Sequence, residues 1–253
     1  MIDILLARLR QGHRTLPYPA GEAPLPDRFR GRPRLDPSRC PGDCPAPCLA
    51  GCPTGALQRG EGGLRLDQGR CLFCLDCPDL CPHGLLGFER EHRLAARRRD
   101  DLVLLGPAQG VPPGTLDDPR RSLLAHSFKL RQVSAGGCNA CEADANVLST
   151  LAFDHGRFGI QFVASPRHAD ALLVTGPVSE NMRVALRKTW EALTPPRVVI
   201  ASGACAIAGG PFAGHPEVHQ GVAGLLPVDL FVPGCPPHPL TLLDGLLRLL
   251  GRA

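Results

Sequence analysis

Twelve cysteines dominate the chemistry open to this 253-residue chain. They fall into three sets. Cys138 and Cys141 form a Cys-x-x-Cys turn within Gly136-Gly137-Cys138-Asn139-Ala140-Cys141-Glu142, and Cys205 and Cys235 answer it downstream. The other eight lie upstream in two runs, Cys40, Cys44, Cys48, Cys52-Pro53 and Cys71, Cys74, Cys77, Cys81-Pro82. Glycine or proline stands beside eight of them. Scattered core cysteines, packed as small hydrophobes, would not need that. The apolar start Ile4-Leu5-Leu6-Ala7 is too short for a signal-peptide core and follows Asp3 rather than a basic stretch. That predicts a cytoplasmic protein, where thiols stay reduced and clustered cysteines hold metal rather than disulfides.

A 4Fe-4S cluster takes four thiolates. A Cys-x2-Cys-x2-Cys loop wraps it with inward-facing amides, and in two-cluster ferredoxins the remote Cys-Pro of each run ligates the other cluster. This predicts one cluster on Cys71, Cys74, Cys77 and Cys52, and another on Cys40, Cys44, Cys48 and Cys81. Cys138, Cys141, Cys205 and Cys235 hold a third, and every cysteine is then used. The first run departs from the usual spacing, with three residues where two are expected, and Pro41, Pro45 and Pro47 remove amides from its loops. A degraded or differently ligated site stays open there. Zinc is the structural alternative, yet it needs only two Cys pairs or Cys with His. His83, His168 and His238 are read as surface or hydrogen-bonding groups. Glu142, at a helix N-terminus, is either a charge favoured by the helix dipole or a proton relay at a partner interface.

The elements that must position these residues follow from periodicity. Ile2 to Arg10 is a short helix candidate, followed by an extended Pro-rich stretch through Pro26. Residues 36–90 contain a duplication of roughly thirty residues, one supersecondary unit per run. Residues 96–126 read as a linker, with a short strand at Leu102–Leu105 and Gly/Pro-rich text at 106–114. From 127 onward strands and helices alternate. Strands are predicted at Phe128–Val133, 159–164, Ala171–Thr175, Arg197–Ala201 and Val228–Val232. Helices are predicted at Cys141–Phe153, behind the N-cap Ser179 with Met182, Ala185, Leu186, Trp190 and Leu193 on one face, and, amphipathic, at Leu240–Leu250. Such alternation predicts a mostly parallel α/β sheet. The gap from Ser165 to Asp170 is too short for a helical crossover, which leaves that pair's topology open. Cys138, Cys205 and Cys235 each follow a strand, and ligands of such sheets bind beyond the strands' carboxyl ends.

The net charge of +4 is mild, and the clusters Arg28-Arg30-Arg32-Arg34 and Arg97-Arg98-Arg99 read as solvated surface rather than a nucleic-acid site. No P-loop or Gly-x-Gly-x-x-Gly opens a helix. No segment reaches the ~20 apolar residues of a membrane span. Electron transfer is the role left. A zinc-stabilised scaffold is the competing class.

The residues Arg121-Ser122, Gly136 to Glu142, Arg157-Phe158-Gly159-Ile160, Ala164 to Asp170, Thr175-Gly176-Pro177-Val178, Gly203-Ala204-Cys205 and Val232 to Pro237 resemble the small subunit of membrane-bound, energy-converting NiFe hydrogenases, the formate hydrogenlyase type above all. They are similar also to the complex I subunit that holds its terminal cluster. There the first two cysteines of the set are adjacent, whereas the x2 spacing here favours the hydrogenase branch. Gly12 to Pro19 and Arg28-Phe29-Arg30-Gly31 resemble the two-cluster ferredoxin-like subunit of the same complexes. The resemblance implies a fusion: an extension plus a ferredoxin-like two-cluster domain over 1–95, a linker over 96–126, and a flavodoxin-like α/β domain over 127–253. It implies three 4Fe-4S clusters relaying electrons to or from a large subunit's NiFe site. The implied partners are that large subunit, integral membrane subunits, and a soluble ferredoxin or formate dehydrogenase module. The implied place is peripheral, on the inner face of the cell membrane. A quinone-linked, NADH dehydrogenase-like subunit without hydrogenase activity is the alternative.

Overall fold

The computed structural model describes residues 2–41, 44–60, 63–106 and 114–253. In chain order the elements are α1 (Ile2–Gln11), β1 (Arg32–Leu35), α2 (Pro47–Ala50), β2 (Leu57–Gly60), β3 (Gly63–Asp67), α3 (Asp76–Leu80), β4 (Leu86–Glu89), β5 (Val103–Leu104), α4 (Asp118–Leu124), β6 (Phe128–Ser134), α5 (Ala140–Val147), β7 (Ile160–Phe162), β8 (Ala171–Thr175), α6 (Glu180–Glu191), β9 (Val198–Ser202), α7 (Ala204–Ala208), β10 (Leu230–Val232) and α8 (Pro239–Leu249).

Five strands form one parallel sheet in the order β10-β9-β8-β6-β7. Read by chain order this is the 2-1-3-4-5 arrangement of flavodoxin-like α/β folds. The central strands β8 and β9 are buried at every residue. That explains their unbroken apolar text, since a parallel sheet is covered on both faces. Alternate residues feed two cores. Leu130, Leu173, Ile200 and Val232 pack on one side with Ala145 of α5 and Leu246 of α8. Val133, Leu172, Val174, Val199 and Phe231 pack on the other with Leu186 of α6 and Ile207 of α7.

The open question of the 165–170 gap resolves through register. β7 ends with Phe162 opposite Leu130, and β8 begins with Ala171 opposite the same residue. The chain only steps across β6, through a 3-10 turn at Pro166–His168, and has no strand length to retrace. No helix is needed.

Upstream lie two small antiparallel sheets, β1-β4 and β2-β3-β5. In β3 the buried Leu64 and Leu66 alternate with exposed Gly63 and Arg65, the period-two signature of a half-buried strand. The stretch read as a linker carries packed structure on both sides of residues 107–113, the Gly/Pro-rich part that lies outside the described residues. Its predicted strand shortens to β5, because Arg99–Leu102 winds as a 3-10 turn. Ala96 exchanges backbone hydrogen bonds of 2.9 and 2.8 Å with Phe231 and covers the edge of β10. The amide of Leu116 donates to Leu249.

Other expectations need correction. α5 stops at Val147 rather than Phe153. The hydroxyls of Ser149 and Thr150 donate to the carbonyls of Asn146 and Val147, so the chain turns in tight bends, a competition that short polar side chains win. Ser179 stands at the N-cap of α6, but its side chain caps nothing. Its hydroxyl lies against Gly136 instead. α8 was expected to be amphipathic, yet it is buried at every residue but Arg248. The Pro-rich stretch covers its outer face.

That covering is fastened by a buried polar group. Asp244 is fully buried. It accepts hydrogen bonds from the Tyr18 hydroxyl and from Arg248 Nε at 2.9 Å. His92 Nε2 lies 3.3 Å from the same hydroxyl, and Arg157 donates to the carbonyls of Leu16 and Tyr18. Burial, then the hydrogen bond to Asp244, holds the Tyr18 phenol well above its ordinary range. Burial holds His92 below its own. The signs follow. The tyrosine's contribution is present below about pH 10 and lost above it, where an unfolded tyrosine ionises. The histidine's is present above about pH 6.5 and lost as pH falls. Tyr18→Phe, which leaves the carboxylate one donor short, is expected to cost about 1–3 kcal/mol. Thermal unfolding from pH 7 to 10.5 should also show a shallower alkaline loss in Tyr18→Phe than in the parent.

Candidate metal centres

The carboxyl ends of β6, β9 and β10 all point to one edge of the sheet. β6 runs out at Ser134, and two residues on, Gly136 (φ +88°) turns the chain into the loop that carries Cys138. Asn139, the N-cap of α5, sits in the left-handed region (φ +70°) and swings Cys141 into the first helical turn. β9 is followed by Gly203 (φ +92°), and Cys205 enters α7 two residues later. β10 is followed by Gly234 and Cys235, just ahead of α8. Residues almost a hundred apart in sequence thus meet because parallel strands end on the same side.

The four thiols share one environment. Burial pushes Cys141 up to about 12, and Glu142, Cys205, Cys235 and Cys138 add to the effect. Burial, then Cys235 and Cys138, pushes Cys205 up to about 11. Cys235 is raised by burial, then by Cys138 and by Cys74 of the upstream run. Cys138 and Cys235 are exposed, whereas Cys141 and Cys205 are partly covered. Space for the sulfurs is kept by missing side chains. A Cβ on Gly203 would come within 2.6 Å of Cys141 Sγ, and one on Gly210 within 2.6 Å of Cys205 Sγ.

The second set is enclosed. One cavity is lined by Cys52, Cys71, Cys74 and Cys77, with Thr54, Leu57, Leu66 and Phe88 around them. These are the four that the remote-ligand pattern groups. The amide of Phe73 donates to Cys71 Sγ at 3.3 Å and that of Ala56 to Cys52 Sγ at 3.2 Å. Burial, then neighbouring thiols, pushes Cys77 up to about 12. Cys71 also rises to about 12, with burial leading. Burial alone would raise Cys52 too, but the amides of Leu57, Thr54 and Ala56 outweigh it and leave that thiol below its ordinary value. In the first set α2 carries Cys48, which is buried and raised by burial, then by Cys81 and, less, by Cys44. Cys40 and Cys81 join the same apolar cluster as Cys48. The loop between Cys40 and Cys44 lies partly outside the described residues.

The second and third sets each bring four thiols together, a donor chemistry that suits a cationic, polynuclear group. A cation set among grouped thiols favours their thiolate form. All twelve cysteines are free. Among the described residues no three His, Cys, Asp or Glu side chains converge on a single ion position.

Glu142 is buried and accepts a hydrogen bond from the Thr175 hydroxyl at 2.5 Å. Thr175 ends β8, the strand between β6 and β9, and no sequence signal marked its bond to Glu142. Four residues in the left-handed region were equally silent. Ala46, Phe73, Leu75 and Asn139 each lie between cysteines and account for most of the non-glycine positive φ values among the described residues. Such strain gathers where a loop must wrap something. His83 and His168 are exposed. His238 caps α8 through Nδ1, and burial pulls it down to about 4.

A parallel α/β sheet that gathers four cysteines beyond its strand ends defines a thiol-ligand domain of the flavodoxin-like class. The family model of the NADH ubiquinone oxidoreductase 20 kDa subunit matches residues 138–249. Formate hydrogenlyase subunit 7 of Escherichia coli K12 is 40% identical over 158 residues, 58% of this chain and 62% of that one. The protein named "Probable membrane-bound hydrogenase subunit mbhJ" of Pyrococcus furiosus is 42% identical over 118 residues, 47% of this chain and 71% of its own. An NADH-quinone oxidoreductase subunit of Desulfovibrio desulfuricans is 43% identical over 113 residues, 45% and 61% of the two chains. The chain thus spans less than two thirds of two of these relatives. It belongs to the family of the 20 kDa subunit of NADH:ubiquinone oxidoreductase.

Glycine contacts set the loop's closeness. A Cβ on Gly176 (φ +80°) would come within 2.5 Å of the Gly137 amide nitrogen. Gly176→Ala is therefore expected to lower stability by about 1–3 kcal/mol, read as a fall in thermal midpoint, because backbone rather than a side-chain tip must yield.

Proposed function

We propose that this chain is the iron–sulfur electron-transfer subunit of a membrane-associated, complex-I-related NiFe hydrogenase of formate hydrogenlyase type. One observation carries the reading. The four downstream cysteines meet at the open edge of the sheet, and Cys74 of the upstream run is near enough to bear on Cys235. The family membership and the hydrogenase relatives support it. In this reading residues 1–95 form an extension and a ferredoxin-like two-cluster unit, and residues 127–253 form the terminal-cluster domain. The partners are a hydrogenase-type large subunit, integral membrane subunits, and a ferredoxin or formate dehydrogenase module. The chain sits peripherally on the inner membrane face. Among the described residues no helix is long and apolar enough to cross a membrane.

Three 4Fe-4S clusters, when bound, supply one-electron transfer. The residues do the rest. Cys40, Cys44, Cys48 and Cys81 hold one, Cys52, Cys71, Cys74 and Cys77 the next, and Cys138, Cys141, Cys205 and Cys235 the third. The amides of Phe73 and Ala56 stabilise thiolate charge on Cys71 and Cys52. The exposed Cys138 and Cys235 turn the third set outward to a partner. Glu142, held by Thr175, is the candidate proton relay at that face. A quinone-linked, complex-I-like role is the second reading, favoured by the match to the NADH-quinone oxidoreductase of Desulfovibrio desulfuricans. The x2 spacing of Cys138 and Cys141 favours the hydrogenase.

Anaerobic analysis of the purified chain should find iron and sulfide each near about twelve per chain. Zinc with little iron would instead make it a scaffold. Gly203→Ala should bring the count towards about eight, because a methyl group there crowds Cys141 Sγ on a backbone at φ +92° that alanine resists, and touches no cysteine of the other two sets. Glu142→Gln is expected to slow hydrogen evolution by the intact complex while leaving iron content unchanged; undiminished turnover would remove the relay. A copurifying large subunit with a Cys-x-x-Cys pair near each end supports the hydrogenase, and one lacking them moves the assignment to the quinone-linked reading.

A further inference from the structure

α1 gathers five exposed large apolar residues, whereas those elsewhere among the described residues stand singly along the chain. All ten of its residues are exposed, with Ile2 at 73%, Leu5 at 63% and Leu9 at 81%. Ile2, Leu5, Leu6 and Leu9 follow i, i+3, i+4, i+7 spacing, which places them in one stripe about 100° wide. Ile4 lies outside it. Arg8 and Arg10 flank the stripe on opposite sides, and Arg14 follows. From residue 2 to 14 three arginines face a single acid, Asp3. The first anchorage to the rest of the chain comes after the helix, where the Leu16 amide donates to Ala152 at 2.8 Å. A ten-residue helix with no tertiary contact is marginal in water. Its apolar side needs a surface, and none of the described residues buries it.

We infer that α1 lies in the headgroup layer of an anionic lipid bilayer, with Ile2, Leu5, Leu6 and Leu9 turned into the acyl boundary. Charge complementarity selects lipid. Arginines on both flanks of a narrow stripe let their stems lie along the apolar boundary while the guanidinium groups reach phosphates. A groove in a partner protein would have no need of cations on both sides. This gives a physical means for the peripheral membrane placement proposed above, on which it rests, and it is independent of cluster content.

The test uses the full-length holoprotein in anaerobic co-sedimentation with vesicles. One set holds equal parts phosphatidylglycerol and phosphatidylcholine, the other phosphatidylcholine alone. The protein is expected to bind the anionic set, at least tenfold more weakly the neutral set, and less as salt rises. Leu5→Glu with Leu9→Glu should abolish binding. Arg8→Gln and Arg10→Gln should weaken it about fivefold each. Iron content, unchanged in all variants, separates a lost membrane contact from lost clusters. Absence of binding by the parent protein, as a protein groove for α1 would give, overturns the inference. So does equal binding by the Leu5→Glu, Leu9→Glu variant.

Discussion

Thiols brought close together in a protein interior resist ionisation. Burial and mutual repulsion push Cys71, Cys77 and Cys141 to about 12 and Cys205 to about 11. A positive charge set among these buried thiols would offset that resistance. Much of the local architecture can be understood as holding that arrangement open. Left-handed residues bend the loops, amides point at sulfur, and glycines stand where a methyl group would strike Cys141 or Cys205.

The sheet supplies the geometry and α8 supplies the closure. Because β6, β9 and β10 run parallel, three distant loops open on one edge. α8 follows directly from the Cys235 loop and fills one face of the sheet. It is itself roofed by the Pro-rich segment through Tyr18 and Asp244. The position of Cys235 is thus tied, through one helix, to residues more than two hundred places earlier in the chain.

The sequence made the strands and the grouping of the cysteines legible because both are written in short-range patterns. Unbroken apolar runs marked β8 and β9, and Cys-x2-Cys spacing with Cys-Pro marked the set later found around one cavity. What escaped depended on packing between distant segments. α8 looked amphipathic because Asp244 and Arg248 are polar, and only the fold shows that Tyr18 satisfies that carboxylate. Thr175 gave no sign of bonding Glu142, since nothing in its neighbourhood changes when a residue thirty-three positions away becomes buried. α5 was drawn too long because Ser149 and Thr150 bond back to the turn before them, a choice that helical periodicity does not record. The stretch around Ala96 read as a linker because one pair of backbone hydrogen bonds to β10 leaves no trace in residue type.

The Tyr18–Asp244 contact also sets an order of events during synthesis. Folding proceeds from the N-terminus as the chain emerges. The two upstream cysteine runs are made, with their small sheets, long before α8 exists. Asp244 is made more than two hundred residues after Tyr18. Until then the segment around Tyr18 has no carboxylate to bind. The upstream thiols are thus exposed on the growing chain before the Pro-rich segment can dock, and the emergence of α8 is what fastens that segment down.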